Sequence, residues 1–252
     1  MPTQKVFIPS IYDRTPLETI ISYNPRQSGD PSEVTEVIGV VLTHPYAPLG
    51  GTMLDHLVHF LHDYFLERRF IAASFNFRGA GRSGGSTTWT AHAEIGDCKT
   101  IIDFLLQGGG LVAPADKVSS SEIKLPRPSR IIIVMIASAI DPASYPGLNL
   151  TYILISYPLN TLWALAAWGS SHFRARIDAL TMPVPSYGSA PPRVLLVMGT
   201  IDNFTGIAAF RKWVGTRKRE GLVVREVEGA DHFWFGKEDE IVEIVGEFLG
   251  LE

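Results

Sequence analysis

At 252 residues, 46% hydrophobic and 19% charged, the chain has the length and apolar content for one large α/β domain, which excludes wholesale disorder. A net charge of −4 with no basic run argues against a nucleic-acid partner. The single cysteine, Cys98, excludes an intrachain disulfide; with no signal-peptide-like start, a reducing, cytoplasmic setting is expected.

In chain order, Val6–Ile11 and Leu17–Tyr23 read as short strands, and residues 26–33 as a loop. The apolar run Val37–Leu42 suits a central strand covered on both faces. Met53, Leu57, Phe60, Leu61, Tyr64 and Phe65 then make one apolar helical stripe. A strand is expected over Phe70–Phe77 and a helix over Ala91–Leu106. Residues 108–129, with a glycine triplet, three prolines and three consecutive serines, read as a surface insertion. The strand Arg130–Ala137 follows, then strand Tyr152–Ser156 and helix Thr161–Trp168 within a small cap at 160–190. The end of the chain reads as strand Arg193–Met198, helix Ile207–Arg219, strand Leu222–Val227 and helix Glu238–Leu249. The uncharged stretch 142–173 is broken by Pro146, Gly147, Asn149, Pro158 and Asn160, so no membrane span is expected there. Alternation of strands and helices implies a single α/β domain. Its central sheet is expected to be mostly parallel with helices on both faces, preceded by N-terminal antiparallel strands.

Chemistry in such sheets collects at the carboxyl ends of the strands, and the unusual clusters of this chain lie there. His44-Pro45 and the pair Gly50-Gly51 follow one strand. Paired glycines let backbone N–H groups approach a ligand and stabilise an oxyanion, or simply make a tight turn. Asn76-Phe-Arg78-Gly79-Ala-Gly81-Arg-Ser83-Gly84 follows the next. Its glycine spacing matches a dinucleotide loop, but no helix opens on it and no acidic residue ends a strand about 20 positions later. Arg78 is suited either to bind an anion or to pin the loop. Asp202 follows a third strand, where it can orient an imidazole or cap the next helix. His232, 30 residues later with one helix and one strand between, falls on the adjacent loop. His56, His59 and His62 drift around their helix and make no metal-ligating face. No metal or cofactor is expected. The partner is expected to be a small-molecule substrate or ligand.

These segments together resemble the α/β-hydrolase superfamily, and within it a branch of small predicted serine hydrolases. The resemblance rests on four motifs in order: His44–Gly51, Phe75–Ser83, Gly199–Asp202 and Gly229–Phe233. It implies that Asp202 is the triad acid, that His232 is the base, and that the glycine loop after His44 supplies half of an oxyanion hole. The other half should be the N–H following a nucleophilic serine in a G-x-S-x-G turn.

No G-x-S-x-G occurs in the chain. The strand that should carry it runs into Ile136-Ala-Ser138-Ala-Ile140. Ser138 would be a nucleophile flanked by isoleucines where the strained turn needs small residues. Alternatively the turn has been lost between Met135 and Ile136, or another nucleophile serves. Only residues 136–150 separate the two strands, and they contain Pro142, Pro146 and Gly147. A crossover of at least about 10–12 residues is needed for a helix alone, so length favours loss and a shortened crossover. Three functions are compatible with this pattern. One is a hydrolase, or its descendant, acting on a small ester-like or carbonyl substrate. The second is a non-catalytic binding protein. The third is a lyase or isomerase using His232 as general base.

Overall fold

The computed structural model describes residues 3–24, 36–45, 50–88, 92–114, 121–134, 140–159, 170–182 and 191–251. The chain divides into two compact units, Met1–Ile133 with Gly147–Asn149, and Val134–Pro146 with Leu150–Glu252.

The first unit holds strands β1 (Gln4–Pro9), β2 (Pro16–Ser22), β3 (Ile38–Leu42), β4 (Ile71–Phe75), β5 (Gly109–Pro114), β6 (Ser121–Lys124) and most of β7 (Arg130–Val134). Their order across the sheet is β7-β3-β4-β2-β1-β5-β6. β3 and β4 run parallel, with Val40 opposite Ala72, while β2 runs antiparallel to both β1 and β4. Every residue of β4 is buried, as expected of a continuous apolar run covered on both faces.

Helix α1 (His56–Glu67) starts where Asp55 accepts the Leu57 N–H, and α2 (His92–Leu106) buries Ile101, Ile102 and Leu105. The stripe of α1 differs from the expected one. Phe60 is exposed and His62 is buried, because His62 lies one turn from Val58 and shares its inward face. Residues 108–129 are also not simply a loop. β5 and β6 pair as an antiparallel hairpin, with Gly110 opposite Ile123, and the hairpin adds to β1. Two glycines of the triplet that suggested a turn, Gly109 and Gly110, lie in β5, and Val112 and Ile123 are the buried anchors of the hairpin.

The second unit contains all but the first residue of β8 (Asn149–Ile155), with β9 (Arg193–Gly199) and β10 (Leu222–Val227); the three run parallel, with β9 between the other two. Helix α3 (Ser170–Thr181) falls inside the interval expected to form a cap and buries Phe173, Ile177 and Leu180 at helical spacing. The helix expected over 161–168 lies outside the described residues. Helix α4 (Ile207–Val214) ends at Gly215, several residues before the expected Arg219. Helix α5 (Glu238–Leu249) has the expected bounds. Three acidic residues fill its first turn and Gly250 ends it in the left-handed conformation. Residues 140–148 contain a single 3-10 turn, Pro142–Ser144, where a crossover helix would stand. Among the described residues no helix is long and apolar enough to cross a membrane.

Candidate active site

The acid and the histidine meet on the loops after β9 and β10. β9 ends at Gly199, and the chain turns back so that the Asp202 N–H reaches the Gly199 carbonyl. The two loops are clasped together. Ile201 N–H donates to the Ala230 carbonyl, and Gly229 N–H donates to the Thr200 hydroxyl at 2.9 Å. Glycine is required at 199, since a Cβ there would lie 2.2 Å from the Ala230 oxygen. This contact brings the histidine loop against the acid loop.

Asp202 is 3% exposed and its two carboxylate oxygens do different work. Oδ1 accepts the N–H groups of Phe204 and Thr205 at 2.8 and 3.0 Å, which fixes the turn leading into α4. Oδ2 lies 2.8 Å from His232 Nδ1. Of the two roles considered for this residue, Asp202 contacts the imidazole through Oδ2, but it does not cap the next helix: the N-cap of α4 is Gly206, and Oδ1 closes the turn before it. Burial alone would raise the carboxyl's pKa. Hydrogen bonds from His232, the Ser156 hydroxyl and Thr205 outweigh that and lower it. Asp202 is thus an ionised acceptor. The neutral imidazole must carry its proton on Nδ1, which leaves the lone pair on Nε2.

His232 is partly exposed, with Phe204 stacked on its ring at 4.0 Å between centroids. Phe233 meets the ring edge-on at 5.8 Å. In the Phe-Trp-Phe sequence the two phenylalanines are exposed and Trp234 is buried. Asp231 accepts the N–H groups of Phe233 and Trp234 and so shapes the turn. This arrangement gives an imidazole held at Nδ1, with no hydrogen bond to Nε2 among the described residues, and bordered by aromatic rings.

Sequence reasoning did not single out Ser156, Phe204 or Trp234, and Thr205 stood only as a residue that could share the helix cap with Asp202. Phe204 could have been found from its spacing after Asp202. Ser156 carries no sequence signal, because its contacts come from residue 234 and from a backbone φ of 49°.

The remaining candidates lie in the first unit. The His44 ring is fully buried. Its Nδ1 lies 2.5 Å from the Pro45 carbonyl and its Nε2 accepts the Phe77 N–H at 3.0 Å. Burial lowers its pKa to about 4, so it is neutral at pH 7 with both nitrogens engaged, and it ties two strand-end loops together. Gly51 closes the same loop, since a Cβ on it would meet the Pro45 oxygen at 2.2 Å, while Gly50 takes a φ of 90°. The tip of the loop, residues 46–49, lies outside the described residues, as does Ser138.

Arg78 is buried and committed. Nε and Nη2 donate to the two oxygens of Asp97 at 2.9 and 2.7 Å, and Nη1 donates to Asp13 at 2.8 Å. Of the two roles open to it, pinning the loop is the one its geometry serves. The glycine-rich turn after it wraps atoms of its own chain, not a phosphate. A Cβ on Gly81 would lie 2.1 Å from Asn76 Nδ2 and 2.8 Å from Glu18 Oε2. Asn76 itself donates to buried Glu18 and accepts the Met53 N–H, joining β2, β4 and the entry to α1. Among the described residues, no three histidine, cysteine or acidic side chains are grouped to hold a metal ion.

No protein-family model matches the sequence, and no curated protein matches it. Solved structures do match the fold. An α/β serine hydrolase homologue from Coxiella burnetii superposes with a TM-score of 0.66 at 18% identity, covering 97% of this chain and 96% of that one. The chain has the α/β-hydrolase fold. A lidless α/β serine hydrolase from Xanthomonas campestris shares this hydrolase fold with a TM-score of 0.67 at 14% identity, covering 99% and 94% of the two chains. An esterase from Pyrococcus furiosus shares it with a TM-score of 0.62 at 16% identity, covering 98% and 92%.

Proposed function

We propose that this chain is a hydrolase, or the descendant of one, that acts on a small ester-like or carbonyl substrate through the Asp202–His232 pair. One observation carries this reading. A buried, ionised Asp202 holds His232 by Nδ1 at 2.8 Å, and Nε2 has no hydrogen bond among the described residues. That is the arrangement of a general base ready to take a proton.

In the covalent route Ser138 is the nucleophile. His232 Nε2 takes its hydroxyl proton as Oγ bonds to the carbonyl carbon, then returns the proton to the departing alkoxide. Water repeats the sequence on the acyl-enzyme, so that one ester and one water give one acid and one alcohol. In the direct route His232 takes a proton from water as its oxygen bonds to the carbonyl carbon, then returns that proton to the alkoxide expelled from the adduct, giving the same acid and alcohol. The single 3-10 turn within residues 140–148 favours the direct route, because a nucleophile turn is normally followed by a helix.

The test combines a fluorophosphonate probe with turnover of short-chain aryl esters. Labelling that disappears in Ser138→Ala supports the covalent route. Turnover without labelling that falls on the order of 10²–10⁴-fold in His232→Ala supports the direct route. Turnover indifferent to His232 would sink the proposal, and ligand binding without turnover would make the chain a binding protein. His232-dependent proton exchange into a carbonyl substrate without hydrolysis would make it a lyase or isomerase.

A further inference from the structure

His232 is held at one atom by Asp202 and along one face by a ring. The Phe204 ring lies 4.0 Å from the imidazole, centroid to centroid, at an interplanar angle of 29°. Phe233 meets both rings edge-on, 6.4 Å from Phe204 at 84° and 5.8 Å from His232 at 89°. Stacked and edge-on contacts are the two arrangements that aromatic pairs favour, and the imidazole has one of each.

A single carboxylate places both members of the stack. Asp202 Oδ1 accepts the Phe204 N–H at 2.8 Å, and Oδ2 lies 2.8 Å from His232 Nδ1. Phe204 and His232 are therefore fixed to the two oxygens of one group, and contact between their rings closes the cycle. The cycle restrains what the hydrogen bond alone does not. A bond at Nδ1 sets the distance to Oδ2 but leaves the imidazole free to tilt about that axis, and each tilt redirects the Nε2 lone pair. At 4.0 Å the stacked ring is already in contact, since carbon atoms meet at about 3.5–4.0 Å. The imidazole has no room to turn its edge toward Phe204.

We propose that Phe204 is a positioning residue that bears on one face of the His232 imidazole and sets the direction in which Nε2 is presented. The proposal rests on the reading of Asp202–His232 as the proton-handling pair. It assigns Phe204 no contact with substrate. Phe233 and Phe235 are the rings left exposed on this loop, whereas half-buried Phe204 is committed to the imidazole face.

The test compares Phe204→Leu, which keeps apolar bulk and removes the ring, with Phe204→Tyr, which keeps the ring. One readout is the pair of imidazole C–H signals of His232 in the proton NMR spectrum, assigned by their loss in His232→Ala. An aromatic ring moves protons held over its face upfield, so this readout needs no substrate. The other is kcat and KM for a short-chain aryl ester. In Phe204→Leu the two signals should move downfield, and kcat should fall roughly 2–10-fold, the fold-change of one aromatic pair, with KM unchanged. Phe204→Tyr should keep both readouts near wild type. A folded Phe204→Leu with wild-type signals and wild-type kcat would overturn the proposal. So would a raised KM at unchanged kcat, which would make Phe204 a substrate contact. If Phe204→Leu does not fold, the wild-type protein decides: cross-relaxation between the imidazole and Phe204 ring protons supports the stack, and its absence overturns it. Turnover indifferent to His232→Ala fails the functional reading instead, and the imidazole signals then judge Phe204 by themselves.

Discussion

Replacing His62 with glutamine removes a titration from the core while keeping a side chain that can hydrogen-bond. In the folded chain the His62 ring is 4% exposed, with Nδ1 2.7 Å from the Ser74 hydroxyl and Nε2 2.8 Å from the Ser22 hydroxyl. Burial is the main cause that lowers its pKa from the usual 6.5 to about 4; His59 adds to this and Asp63 opposes it. The unfolded chain therefore binds a proton more readily than the folded one between these two values. The stabilising contribution of the neutral ring is complete above pH 6.5, declines as pH falls, and is gone below about pH 4. At about 1.4 kcal/mol per pH unit, the interval corresponds to about 3 kcal/mol. Buried His44 and the lowered carboxyls of Glu18 and Asp202 also lose stability in acid, but they are common to both proteins. The measurement is urea unfolding of wild type and His62→Gln followed by tryptophan fluorescence at several pH values from 7.5 to 4.5. The stability gap should move in favour of the variant by about 2–3 kcal/mol over that range, with nearly all of the change below pH 6.5. A gap that is flat with pH, or that changes mainly above pH 7, would refute the assignment of a neutral, hydrogen-bonded ring.

Arg78→Ala leaves Asp97, a carboxylate with 0% exposure, without its main partner, and should cost about 3–5 kcal/mol in chemical denaturation. Gly199→Ala places a Cβ 2.2 Å from the Ala230 oxygen and should destabilise by about 1–3 kcal/mol, with chemical-shift changes concentrated at residues 229–232. The Cys98 thiol is 3% exposed and burial raises its pKa to about 12, so a disulfide reagent at pH 8 should modify it only after denaturant is added. Asp202→Asn presents the wrong tautomer to His232 and should lower any His232-dependent turnover on the order of 10⁴-fold, read from kcat in a direct ester assay.

Much of this was legible in the order of residues because it depends on near neighbours. The apolar runs of β3, β4 and β9 announce buried strands, and the caps of α5 lie within its own sequence. The acid and the histidine were legible because each directly follows a strand, and parallel strands deliver their following loops to one edge. What was not legible depends on contacts distant in sequence. Asn76 looked like part of a ligand loop because its partner Glu18 is 58 positions away. Arg78 looked as suited to bind an anion as to pin its loop until Asp97 and Asp13 were placed beside it. His62 was read only as one of three histidines that drift around their helix, and its partners Ser22 and Ser74, distant in sequence, are what make it a core residue. The hairpin at 109–124 was hidden by glycines and serines that usually mark turns. Gly109, Gly110 and Ser121 sit in its strands, anchored by Val112 and Ile123.

The described hydrogen bonds that fix Asp202 and His232 come from the loops after β9 and β10, within residues 199–232. The acid–imidazole pair is thus held by two neighbouring loops that clasp each other. If His232 is the proposed base, its preorganisation is a property of those two loops, and it would serve equally a reaction in which the attacking group is water or the substrate itself.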